Sequence, residues 1–210
     1  MTFIVTAGAD ELDVRTPAPG HITIWSIAWS LAQINRFNGH ALRPYSVAEH
    51  SLLVCEICER EMGLNVHGLL AALMHDAHEF ASGDMHTPGK RVIGEAWYHW
   101  ETRWSTLVQR CFSIVTPTQA YHAQIHRADL MALATERRDL MQPTPTRWAV
   151  LHAVEPVDWV RLDTPERAAH DWEFWRDRFL DRFHELEFAR DLQVTELSTR
   201  RNSAQPGDPQ

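Results

Sequence analysis

The stretch SVAEHSLLVCEICEREMG, residues 46 to 63, decides the fold. Ser46-Val47-Ala48-Glu49 opens it as a capping box, in which the serine side chain satisfies a free backbone N–H of the first turn. Val47, His50, Val54, Ile57 and Cys58 then recur at helical spacing, and Gly63 supplies a stop after Met62. Reading outward, the same periodicity appears on both sides. Ile24, Ile27, Ala28, Leu31 and Ile34 predict a helix that Asn38-Gly39 ends. Downstream, one helix is predicted over Val66 to Phe80, a loop over Ala81 to Lys90, and a Trp-rich helix over Val92 to Phe112. Thr116-Pro117-Thr118-Gln119 reads as a second capping box opening a helix to about Met141, which Pro143 and Pro145 terminate. Thr164-Pro165-Glu166 opens a last amphipathic helix to near Leu186. Only Phe3 to Val5 suggests a strand, so the predicted class is all-α. The division predicted is an N-terminal extension (1–20), one helical domain (21–190) and a disordered polar tail (191–210).

A chain of 210 residues is long enough for one core without disulfide or metal staples. Lys and Arg number 20 against 28 Asp and Glu, a formal charge of −8 that argues against a nucleic-acid polymer as partner. It does not exclude a small anionic substrate, because local charge can oppose global charge. Three Cys are too few for a disulfide framework, so a reducing, cytoplasmic setting is expected. No basic region followed by an apolar run opens the chain, so neither leader nor membrane span is expected.

Three predicted helices carry polar residues where a core residue belongs. His50 lies on the first stripe, His75-Asp76 at the end of the Val66, Leu69, Leu73, Phe80 stripe, and Asp129 among Ile125, Ala132 and Leu133. A lone inward His is ordinarily a satisfied core residue. Two inward carboxylates are harder to accommodate, because each costs several kcal/mol unless paired or bound to a metal. His50, His75, Asp76 and Asp129 therefore suggest one shared metal ion. The donors are N and O with no thiolate, which suits several divalent transition ions and argues against a structural zinc site. Co, Mn, Zn, Fe, Ni and Mg are not distinguished.

These residues resemble the H…HD…D pattern of the HD-domain metal-dependent phosphohydrolases. The likeness is nearest to the bacterial 5′-deoxynucleotidases and their phage deoxynucleotide triphosphohydrolase relatives. The features that carry it are Asn35-Arg36-Phe37, Glu49-His50-Ser51, His75-Asp76-Ala77-His78-Glu79, Gly83-Asp84, Thr87-Pro88-Gly89-Lys90 and Ala128-Asp129, in order, over about residues 22 to 142. The resemblance implies an HD-domain helical bundle, one divalent ion on His50, His75, Asp76 and Asp129, and a homodimer. It implies hydrolysis of a deoxynucleotide phosphate ester by a metal-bound water, with Glu79 and Asp84 both needed as proton-handling catalytic residues. Relatives often have Pro where His86 stands and Trp where Phe37 stands.

Two His, two Asp and a divalent cation sum to about zero, and Glu79 and Asp84 add negative charge. A phosphate then needs cations, and Arg36 and Lys90 are the candidates within the motifs, Arg being suited by its bidentate fork. The alternative for Arg36 is an ordinary helix-end residue, and for Lys90 a solvated loop residue. Phe37 could stack on the base or sugar, or pack in the core; His86 could line the nucleoside pocket or be exposed. Cys55 and Cys58 sit mid-helix with no second pair and read as buried structural cysteines. The pairs Trp25/Trp29, Trp100/Trp104 and Trp172/Trp175 read as core or dimer surface. The leading expectation is a 5′-deoxynucleotidase releasing phosphate from deoxynucleoside monophosphates. The rivals are a deoxynucleoside triphosphate triphosphohydrolase, a non-catalytic nucleotide sensor on the same scaffold, and a helical domain with an unusual polar core that binds no ion.

Overall fold

The computed structural model describes residues 2–203, with side chains through residue 196. The fold is all-α apart from one small hairpin. That hairpin pairs β1 (Phe3–Val5) with β2 (Glu11–Asp13), Ile4 opposite Leu12. The sequence reading anticipated β1 but not its partner. Leu12 is fully buried in the common core, so the expected N-terminal extension contributes to the domain.

The central helices form for local reasons. In α1 (Ile24–Gln33) the Thr23 side chain accepts from the Ser26 N–H. In α2 (Val47–Met62) Ser46 accepts from the Glu49 N–H at 3.1 Å, and Gly63 ends the helix in the left-handed region at φ 58°, which costs glycine nothing. The expected α2 stripe of Val47, His50, Val54, Ile57 and Cys58 is wholly buried. Helix α2 packs against α3 (Val66–Leu73), α8 (His122–Leu140) and α10 (Trp172–Ser203), and α10 also crosses α1. One continuous core runs from Leu12 through Leu31, Ile57, Leu73 and Leu140 to Phe179 and Phe183. Cys55 and Cys58 are buried thiols inside it. Along the α1–α10 seam Trp29 meets Trp172 edge-on at 4.7 Å, and the Arg176 guanidinium lies over both rings and Trp25.

Several predicted elements are divided. The single helix expected over Val66 to Phe80 breaks: α3 ends at Leu73, residues 74–78 wind as a tight turn, and α4 spans Glu79–Ser82. His75 itself gives the reason. Its Nδ1 donates to the Ala72 carbonyl at 2.8 Å, the acceptor a continuing helix would offer to the Asp76 N–H. The loop expected over Ala81 to Lys90 is shorter, because α5 already starts at Thr87 and runs to Ile93. Gly94, at φ 71° and ψ −141°, then separates α5 from α6 (Glu95–Cys111), so the predicted Val92 to Phe112 helix is two.

The capping box expected at Thr116 is not one. Helix α7 (Val115–Ala120) begins before it, and Tyr121 divides α7 from α8. Thr164 does cap α9 (Pro165–Ala169), but Asp171 accepts from the Phe174 N–H and starts α10 afresh. Helix α10 passes the expected end near Leu186. Residues 191–203 of the expected tail belong to it, and residues 204–210 lie outside the described residues. Among the described residues no helix is long and apolar enough to cross a membrane.

Candidate metal centre

His50 sits on the second turn of α2, fully buried. The tight turn after α3 swings His75 and Asp76 toward it, and the two imidazoles lie 5.2 Å apart. Asp76 Oδ2 is 3.1 Å from His75 Nε2 and 3.6 Å from His50 Nε2. His50, His75 and Asp76 form a cluster that can hold a metal ion, with one donor atom each, all within 4.8 Å of one another. Asp129, on the first part of α8, stands at its edge: its Oδ1 is 3.2 Å from His50 Nε2, outside the mutual set.

The ring nitrogens show which way the imidazoles are set. His75 Nδ1 faces a carbonyl, which can only accept, so Nδ1 carries the proton. His50 Nδ1 lies 2.6 Å from Glu136 Oε1. Burial would raise the Glu136 carboxyl, but Arg36 and His50 hold it below its ordinary value, so it too accepts. Both Nε2 atoms are thereby left facing the cluster, buried and without a hydrogen-bond partner among the described residues. A metal-binding imidazole has this arrangement, the far nitrogen fixed by a carbonyl or carboxylate and the near one bare. Without an ion, a proton takes its place. Burial and Arg36 favour the neutral His50 ring, yet Glu136 and Asp129 outweigh them and lift it to about 9.

The carboxyl groups divide in two. Burial opposes ionisation of Asp76, but His75, His50 and His78 hold it well below the usual range; Asp129 is lowered too, its burial outweighed by His50 and His75. Glu79, buried at the start of α4, goes the other way: burial first, then Asp76 and Asp84, push it well above its ordinary value. Its Oε2 has no partner among the described residues. Asp84, on the loop after α4, is also raised, by burial and Asp76 against Arg36. For both carboxyls burial is the largest cause, and repulsion from Asp76 adds to it.

Arg36 is mostly covered beside the cluster, with one terminal nitrogen 3.2 Å from Glu136 Oε2 and the other 3.7 Å from Asp76 Oδ2. It is held there by an odd backbone. Asn35 Oδ1 accepts from the Tyr45 N–H, the Arg36 N–H donates to the Tyr45 carbonyl, and Phe37 adopts φ 56°. A left-handed aromatic residue is strained and persists only where its surroundings insist on it. The Phe37 ring is half-buried, 5.5 Å from the Arg36 guanidinium and 6.2 Å from Trp148.

Lys90 is committed to Glu101 of α6 at 2.5 Å. His86 is exposed and caps α5, its Nδ1 accepting from the Gly89 N–H. Two carboxylates beside the expected residues were not singled out in the sequence. Glu101 is held at about 2 by His78 and Lys90 despite its partial burial. Glu136 is the other, and its signal was legible: it lies seven residues after Asp129, on the same helix face.

No family model matches the chain. It is 39% identical to an uncharacterized protein of Rhodobacter capsulatus over 135 residues, 62% of this chain and 68% of that protein. It is 30% identical to the uncharacterized protein YfdR of Escherichia coli strain K12 over 181 residues, 86% of this chain and 96% of that protein.

Proposed function

We propose that this chain, which belongs to the family of YfdR of Escherichia coli, is a metal-dependent phosphohydrolase of the HD-domain type that releases phosphate from deoxynucleoside monophosphates. The observation that carries this reading is the pair of imidazoles, each fixed at Nδ1 and bare at Nε2, directed at one spot beside Asp76. His50, His75 and Asp76 would hold a divalent ion there, with Asp129 completing the set. Such an ion polarises a phosphoryl oxygen and lowers the pKa of water, and N/O donors suit a transition metal.

The remaining steps fall to the chain's own side chains. Arg36 neutralises the phosphate through the edge of its guanidinium not taken by Glu136. Glu79, protonated by its burial, hands a proton to the leaving 5′ oxygen. Asp84, on the neighbouring loop, accepts the proton of the attacking water. Phe37 offers a ring face to base or sugar. Lys90, tied to Glu101, acts as a positive charge at the rim rather than a free ligand. That commitment favours a monophosphate over a triphosphate, which would need further free cations. His86, as the cap of α5, is left out of the substrate contacts. The cell compartment proposed is the reducing cytoplasm and the assembly a homodimer, which light scattering would test.

The deciding experiment incubates the protein with Co²⁺, Mn²⁺, Zn²⁺ or Mg²⁺ and a panel of deoxynucleoside mono- and triphosphates, separating phosphate from triphosphate. Free phosphate from monophosphates is expected. Triphosphate as product would move the assignment to the triphosphohydrolase, and tight binding without turnover to a sensor.

A further inference from the structure

The metal-dependent reading above, on which this inference rests, gives the buried Glu136 at the centre no step of its own. Glu136 has no exposed surface, and α8 sets it two turns after Asp129 on the same face. The two acids lie at opposite edges of one ring: Glu136 Oε1 is bonded to His50 Nδ1 at 2.6 Å, and Asp129 Oδ1 stands 3.2 Å from the bare Nε2. The second oxygen of Glu136 takes the Arg36 guanidinium at 3.2 Å. One carboxylate thus touches both the metal-facing imidazole and the cation nearest the cluster. We infer that Glu136 is the positioning residue of the centre, setting the tautomer of His50 and holding Arg36 back from Asp76.

Charge balance alone would explain Glu136 if it met only Arg36. The contact to His50 Nδ1 is not needed for that, and it has a chemical consequence. An Nδ1–H donated to a carboxylate leaves Nε2 as the only lone pair the ring can offer. The contact to Arg36 has another. The next carboxylate to that guanidinium is Asp76, 3.7 Å away. An Arg36 freed from Glu136 would close on Asp76 and compete with the ion for its oxygen. Losing Glu136 therefore weakens ion binding by two routes, although Glu136 itself lies behind the ring, out of reach of the ion.

The substitutions Glu136→Gln and Glu136→Ala separate this from simple packing. Gln keeps the volume and can still accept from His50, but it presents an N–H₂ or a weaker neutral acceptor to Arg36. The full-length chain, stripped of metal, is titrated with Co²⁺ alone and followed by its visible absorption. E136Q should bind Co²⁺ about 10–100-fold more weakly than the unsubstituted protein, and E136A more weakly still, with the far-UV circular dichroism of E136Q unchanged. Unchanged Co²⁺ affinity and spectrum in E136Q would overturn the inference. A second measurement needs no substitution. In ¹⁵N-histidine protein loaded with ¹¹³Cd²⁺, His50 should couple to cadmium through Nε2 while Nδ1 keeps its proton; coupling through Nδ1 would overturn it. Neither readout uses a nucleotide. Glu136-dependent Co²⁺ uptake without hydrolysis of any deoxynucleotide would remove the hydrolase reading and keep this one, and hydrolysis with Glu136-independent uptake would do the reverse.

Discussion

Glu49 and His50 are neighbours on α2, both buried, and they serve two different ionic clusters. Glu49 is closed on all sides. Its two oxygens take Arg43 at 2.7 and 2.8 Å and Arg167 of α9 at 2.7 Å. Asp139 of α8 is closed in the same way, by a bidentate Arg138, by Arg161 and by the Leu162 N–H. Arg43 and Arg138 also donate to the carbonyls of Leu162, Val157 and Val160. These pairs bolt the segment after α8 onto α2 and α8. The His50 cluster is left open: His50 Nε2, His75 Nε2, Glu79 Oε2 and Arg36 Nε lie buried with no partner among the described residues. Burial of charge is common to both, so burial does not mark a functional site. Unmet donors and acceptors gathered at one spot do, because a structural ion pair repays its desolvation only when its lone pairs and protons are satisfied.

The contrast can be broken at its strongest point. Asp76→Ala should reduce metal content to background and abolish phosphate release, while thermal unfolding shows the fold intact; a variant that keeps both metal and turnover would place the open cluster in the same class as the closed one. Glu79→Gln comes next. It preserves size but holds no transferable proton, so kcat should fall about 10²–10⁴-fold with metal content by elemental analysis unchanged. On the closed side, Glu49→Ala leaves Arg43 and Arg167 without their shared partner. Urea unfolding should report a loss of about 3–5 kcal/mol, with metal bound per folded molecule unaltered, whereas an unchanged midpoint would make that cluster ornamental.

The smallest effect is the pH response. His50 in the metal-free chain titrates at about 9, above the ordinary value of 6.5, so the folded state binds the proton more tightly. Its contribution to metal-free stability is fully present below about pH 6.5 and is lost as pH rises through about 9. An ion must displace that proton, so chelator competition should show affinity rising toward pH 9, by at most about tenfold per unit for this one group. A pH-independent affinity would mean that His50 is not a ligand.

What was legible in the sequence had local causes. The Ser46 cap, the Gly63 stop and the inward His50 all follow from contacts within one or two turns. So do the Thr164 cap and the thiol pair on the buried face of α2. The divided helices were missed because their breaks depend on single side chains, such as His75 on the Ala72 carbonyl and Asp171 on the Phe174 N–H. Periodicity does not register such bonds. The candidate site was legible as a set of donor residues but not as a set of pairings. Lys90 stood as a candidate cation because Glu101 lies on another helix, and His86 stayed between pocket and surface because its capping bond belongs to a segment expected to be loop.

By itself, then, the order of residues determined an all-α chain with His50 turned inward, since side-chain direction along a helix is set by backbone geometry; His75 and Asp76 reach it only through the turn that ends α3. Only the tertiary structure decided which of the buried charges are satisfied and which stand open. Glu136 meets His50 across 86 residues of chain, and Glu49 meets Arg167 across 118. Those distances are closed by the packing of α2 against α8 and by the reach of Arg167 from α9. Whether a carboxylate neutralises an arginine or orients an imidazole depends on where that packing sets it.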